Sequence, residues 1–89
     1  MLNREIEIIN KLGLHARAAA KLVSCACRYQ SDIYLMRSGQ RVNGKSIMGV
    51  MMLAANQGST LQLEIDGKDE AEAMQAVVTL IEDRFGEGQ

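Results

Sequence analysis

The chain has 89 residues, 47% of them hydrophobic, which fits a single domain over 1–89 and leaves no room for a second of ordinary size. Its 10 basic and 11 acidic residues give a formal net charge of -1, which excludes the broad basic footprint of a nucleic-acid binder and makes any charge-driven recognition local. No apolar run approaches the roughly 20 residues that span a bilayer, and the start, MLNREIEIIN, lacks the basic-then-apolar pattern of a secretory signal, so the expected location is the cytoplasm.

Residues 2–9, LNREIEII, alternate apolar Leu2, Ile6 and Ile8 with Asn3, Glu5 and Glu7, the pattern of a strand with one wet face. A turn-like NKLG follows. From Ala16 to about Arg28 the chain is alanine-rich, with Ala19, Leu22, Val23, Ala26 and Cys27 at helical spacing, and predicts the first helix. Cys25 and Cys27 lie two apart on that helix, where side chains diverge by successive turns of about 100°, so they are expected to stay reduced and unbridged. A C-x-C with no second ligand pair also gives no metal site.

DIYLMR, residues 32–37, predicts a second strand; Ser38 and Gly39 supply a two-residue turn and QRVN a short third strand, together a hairpin. SIMGVMML, residues 46–53, reads as a short helix because Ser46 is a good N-cap and Gly49 is awkward in a strand. TLQLEID, residues 60–66, places Leu61, Leu63 and Ile65 on one face of a fourth strand. The last helix opens on a capping arrangement of Asp69 and Glu72, and Ala71, Met74, Val78, Ile81 and Phe85 form its apolar stripe before Gly86. The order strand, helix, strand, strand, helix, strand, helix is an α+β pattern. Strands with one dry face are most economically joined in a four-stranded, mainly antiparallel sheet whose apolar side is covered by the three helices.

His15 is the only histidine, and it directly precedes the first helix. The first turn of a helix offers unpaired N–H groups and the positive end of the dipole, which favour an anion and oppose protonation of a nearby ring. Such a field keeps the imidazole nucleophilic and suits a phosphoryl group carried on it. Arg17 adds a guanidinium fork that matches phosphate oxygens. The plainer alternatives are a surface histidine or weak cap and a solvated arginine; no Cys, Asp or Glu flanks His15 in the sequence to suggest triad or metal chemistry.

GLHARAAAKLV, together with VNGKSIMGVMMLAANQGSTLQLEIDGKDEAEAMQAVVTLIE, resembles HPr, the histidine-containing phosphocarrier family of the bacterial phosphoenolpyruvate-dependent phosphotransferase system, across essentially the whole chain. The resemblance implies an open-faced β-sandwich of four strands and three helices. It also implies a histidine, here His15, that accepts a phosphoryl group on Nδ1 from Enzyme I and passes it to IIA domains, with Arg17 stabilising the phosphate. That is a carrier with a covalent phosphohistidine rather than an independent turnover enzyme, and it calls for no cofactor. The family commonly has proline after the motif's arginine, where this chain has Ala18, so the fixed φ that pre-organises the first helical turn is absent.

NGKSIMGV, residues 43–50, resembles the family's regulatory motif, in which the serine, here Ser46, is phosphorylated by HPr kinase/phosphorylase. A phosphate at a helix N-terminus is compatible with the domain, so its effect would fall on partners. The resemblance places Ile47, Met48 and Met51 near His15 as a docking patch, and methionine suits a surface that fits several partners. Helical spacing assigns Val50 and Leu53 to the core instead. Lys21 and Lys45 are candidates for a basic rim around the site, with a solvated face as the equal alternative. The carrier is expected to act as a monomer that does not insert into the membrane. Two other readings stay open: a carrier of the nitrogen-related branch, and a small non-catalytic regulatory module in which His15 is incidental.

Overall fold

In a computed structural model describing residues 1–88, the alternating segments form strands β1 (Leu2–Glu7), β2 (Asp32–Arg37), β3 (Gln40–Asn43) and β4 (Thr60–Asp66). The helically spaced segments form α1 (Ala16–Ala26), α2 (Ile47–Met52) and α3 (Glu70–Glu82), followed by a 3₁₀ turn at Arg84–Gly86. Gln89, the last residue of the expected 1–89 domain, lies outside the described residues.

The sheet runs β1-β4-β2-β3, and each pairing is antiparallel. Register follows from the dry face: Ile6 pairs with Leu61, Leu35 with Leu63 and Ile33 with Ile65, all buried. A one-residue slip would turn every one of these to water. The polar face is knit by side chains, with Arg41 Nη2 donating to Glu64 Oε1 at 2.6 Å while its guanidinium lies 3.7 Å above the Tyr34 ring. Ser38 (φ 51°) and Gly39 (φ 81°) both adopt left-handed backbone, the geometry of a tight hairpin whose twist matches its strands.

The helices cover the opposite face as a layer. Ala18, Ala19, Leu22 and Ala26 of α1, Val50 of α2, and Ala73, Met74, Val77, Val78 and Ile81 of α3 meet the strand side chains in one core. The small alanines of α1 let that helix sit close to its neighbours.

Several expectations are corrected at element ends. β1 stops at Glu7 and α1 at Ala26, so Ile8 joins the core from beyond the strand and Cys27, at the helix C-cap, is exposed. Ala71 does not belong to the stripe of α3; it is exposed, and Ala73 and Val77 take the buried positions. Asp69 sits at the N-cap of α3 without capping it, because its carboxylate is taken by the α1–β2 connection. It accepts from Gln30 N at 2.9 Å and Ser31 N at 3.0 Å, and from the Ser31 hydroxyl. Hydrogen bonds from Ser31 and Gln30 hold that carboxyl below its ordinary value. Glu72 is exposed, and it is Glu70 Oε1 that reaches back to Gly67 N, at 3.1 Å.

Candidate functional site

His15 is the N-cap residue of α1. Its backbone is extended (φ -71°, ψ 175°), and its carbonyl accepts the first helical hydrogen bond from Ala19 N at 2.8 Å. Its side chain makes no capping bond, so the imidazole is not consumed by the role that serine or aspartate commonly plays at such a position. Ala16, Arg17 and Ala18 follow with N–H groups that no preceding turn can satisfy, an anion-favouring end of the helix. The helix forms from Ala16 with Ala18 fully buried, so its first turn is held by packing in place of proline's fixed φ.

The loop before His15 is anchored to the α2–β4 connection. Leu14 N donates to Ala55 O at 2.9 Å, an approach that brings Gly13, at φ 67°, against the backbone of Ala55 and Asn56. A β-carbon at Gly13 would lie 2.5 Å from the Ala55 carbonyl oxygen. Glycine is therefore required two residues ahead of the histidine, for conformation and for space.

The imidazole has a partner 72 residues away: Nε2 of His15 is hydrogen-bonded to Oε2 of Glu87. The other carboxylate oxygen accepts from Asn10 Nδ2 at 3.0 Å, and the same amide nitrogen donates to Gly13 O at 2.8 Å. Asn10 thus clamps the histidine loop to the C-terminal turn from a fully buried position. Burial pushes the Glu87 carboxyl up, but hydrogen bonds from His15 and Asn10 and the positive charge of Lys21 outweigh it and keep the group below its ordinary value. Sequence reasoning missed both Glu87 and Asn10. Gly86 and Gly88 signal a turn around Glu87, but nothing local says where that turn lands.

The turn that delivers Glu87 is strained. Arg84 (φ 54°), Phe85 (φ 55°) and Gly86 (φ 74°) are successive left-handed residues. For each of the two non-glycine residues that conformation costs about 1–2 kcal/mol. Burial of the Phe85 ring offsets the strain, and Lys21 Nζ donates to the Phe85 carbonyl at 2.6 Å.

Lys11, Leu12, His15, Arg17, Lys21, Gly86 and Glu87 line a cavity of about 340 Å³, with three cations and the Glu87 carboxylate among its walls, and the His15 side chain is 28% exposed. Arg17 is exposed and also borders a larger groove of about 610 Å³ between α1 and α3, which does not contain the histidine. The structure therefore brings His15, Arg17 and Lys21 together. It does not bring Lys45: that ammonium donates to Tyr29 O at 2.7 Å, just past the end of α1, where helix carbonyls attract a cation.

Ser46 caps α2, its Oγ accepting from Gly49 N at 3.1 Å. Val50 and Leu53 are buried, whereas Ile47, Met48, Met51 and Met52 are exposed, as is Leu12 in the histidine cavity. Met52 and Leu12 are exposed apolar side chains that the sequence reading did not single out. Both cysteines are free, Cys27 exposed and Cys25 half-buried. Among the described residues no cluster of His, Cys, Asp or Glu is placed to hold a metal, and no helix is long and apolar enough to cross a membrane.

A family model described as the PTS HPr component phosphorylation site matches residues 2–83. The chain is 60% identical over 89 residues to the phosphocarrier protein HPr of Cupriavidus necator and 56% identical over 89 residues to that of Neisseria meningitidis, with 100% of each chain covered. Its fold matches the crystal structure of HPr from Thermoanaerobacter tengcongensis with a TM-score of 0.95 at 48% identity, over 98% of both chains. An open-faced sheet with its helices on one side, a histidine at the mouth of a helix and these relatives agree: the chain belongs to the HPr family, the phosphocarriers of the phosphotransferase system.

Proposed function

We propose that Nδ1 of His15 is the phosphoryl acceptor, loaded by phospho-Enzyme I and discharged to IIA domains in the cytoplasm by the chain acting as a monomer and single domain. The observation that carries this reading is the position of His15: N-cap of α1, Nε2 engaged by Glu87, no capping bond of its own, in the wall of a cavity that Lys11, Arg17 and Lys21 also line. The Nδ1 lone pair attacks phosphorus, the donor's N–P bond breaks, and that electron pair returns to the donor's imidazole. Arg17 and the N-terminus of α1 meet the charge of the phosphoryl oxygens, the helix end contributing about 0.3–1 kcal/mol and up to ~2 where solvent is partly excluded. An N–P bond keeps the group transferable, and an open site admits donor and acceptor in turn.

Ile47, Met48 and Met51 are read as the docking surface and Ser46 as the site of regulatory phosphorylation by HPr kinase/phosphorylase. What supports this is their exposure around a serine already at a helix N-terminus, where a phosphate is tolerated by the fold and repels an acidic partner. Lys21 belongs to the wall of the cavity. The test is incubation with labelled phosphoenolpyruvate, with and without Enzyme I, for the parent and His15→Ala. Acid-labile, base-stable label on the parent alone is the expected result; equal label on both, or none on the parent beside an active Enzyme I, rejects the reading.

A further inference from the structure

With His15 taken as the acceptor, we propose that Glu87 is its positioning residue: the carboxylate accepts the Nε2–H hydrogen bond and leaves Nδ1 as the ring nitrogen with the free electron pair. The geometry that carries this is dedicated rather than incidental. Three successive left-handed residues, Arg84, Phe85 and Gly86, turn the chain back from α3 toward α1. The buried Phe85 ring and the Lys21–Phe85 hydrogen bond fix that turn. Asn10 then ties Glu87 Oε1 to the carbonyl of Gly13, in the loop that presents the histidine. Asn10 does this while its own Oδ1 stays buried with no hydrogen-bond partner among the described residues. Carboxylate and imidazole are therefore held to one frame from both sides.

The chemical consequence follows from the two ring nitrogens. A neutral imidazole carries its proton on one nitrogen and its lone pair on the other, and a carboxylate at Nε2 stabilises the proton there. When Nδ1 forms its bond to phosphorus and the donor's N–P bond breaks, the ring of His15 becomes a phosphoimidazolium. Its Nε2 proton stays in the hydrogen bond to Glu87, whose negative charge offsets the positive charge the ring has gained. On discharge the N–P bond electrons return to Nδ1 and the neutral ring is restored in the same orientation. Lys11, Arg17 and Lys21, the cations lining the same cavity, are left to face the phosphoryl oxygens.

Glu87→Ala and Glu87→Gln, compared with the parent for rate and equilibrium extent of phosphoryl transfer from phospho-Enzyme I, test this alongside the NMR resonance of the His15 Nε2 proton. Loss of the partner that orients a metal-bound histidine costs about tenfold to a hundredfold, and an effect of the same order is expected for this orienting carboxylate. The expected result is a Glu87→Ala rate lower by at least tenfold, with a smaller phosphorylated fraction at equilibrium and loss of the Nε2 proton resonance. Glu87→Gln should fall between, since an amide oxygen still accepts but more weakly. Unchanged far-UV circular dichroism would separate this from unfolding. A Glu87→Ala rate equal to or faster than the parent's overturns the inference alone, the faster result marking the carboxylate as an obstacle to the incoming anion. An Nε2 proton resonance that persists in Glu87→Ala overturns it as well. A parent that takes no phosphate overturns the carrier reading and this inference with it.

Discussion

Two glycines with the same kind of backbone separate conformation from space. Gly58, at φ 91°, has no atom within 4 Å of where a β-carbon would stand, whereas Gly13, at φ 67°, has the Ala55 carbonyl oxygen at 2.5 Å. Gly58→Ala should therefore cost only the left-handed penalty, about 1 kcal/mol. Gly13→Ala adds a clash with backbone that cannot rotate away, so about 2–3 kcal/mol or more is expected. For a domain of this size that separates the two thermal midpoints by roughly 4–8 °C for each kcal/mol of difference. Gly13→Ala should also slow phosphoryl acceptance, because the loop carrying His15 must shift. Equal midpoints for the two variants would show that the approach of Gly13 to Ala55 is not a constraint.

At the scale of elements, α2 is the least self-sufficient: with 6 residues it is far below the roughly 12–15 at which an isolated helix is even marginal in water. It persists because Ser46 caps it and Val50 and Leu53 are buried in the core. Ser46→Ala removes the cap acceptor and should cost about 1 kcal/mol. Ser46→Asp keeps an acceptor for Gly49 N and places negative charge at a helix start, so its thermal midpoint should stay near the parent's while phosphoryl transfer to His15 slows. A variant that melts like Ser46→Ala, or transfers like the parent, contradicts the respective half. What made α2 legible in the sequence was this local chemistry, a serine cap and an ill-placed Gly49 for a strand. The same holds for β2, β3 and β4, where alternation and the Ser38–Gly39 turn specify face and register within a few residues. Illegible features depend on distant partners. Asp69 reads as a cap until Ser31 and Gln30 are brought against it, and Lys45 reads as a rim cation until the end of α1 supplies Tyr29 O. In the site, His15 and Arg17 belong to one short motif, whereas Glu87 joins them only through the left-handed turn after α3.

For the whole molecule, a formal net charge of -1 gives little long-range steering, so the proposed docking would have to rest on local features, the cations beside His15 and the exposed apolar side chains of α2. Met48 is 76% exposed and Met52 63%, two large apolar side chains on one short helix. A carrier has to release each partner after transfer, which favours a small interface of the transient class, below roughly 1,200 Å² in total, over an extensive one. Within such an interface a few apolar anchors carry most of the affinity. Met48→Glu tests this with the least disturbance of the fold, since its side chain leaves the core untouched and stability should change by no more than about 0.5 kcal/mol. Placing a buried, unpaired carboxylate at a partner interface should raise the KM of Enzyme I for the carrier by about tenfold, equivalent to about 1.4 kcal/mol. The rate at saturating carrier should hold near the parent's, because His15, Arg17 and Glu87 are unaltered. Steady-state transfer assays across carrier concentration separate the two parameters. An unchanged KM would remove Met48 from the docking surface, whereas a fall in the saturated rate would mean that α2 contributes to the chemistry at His15 and not to binding alone.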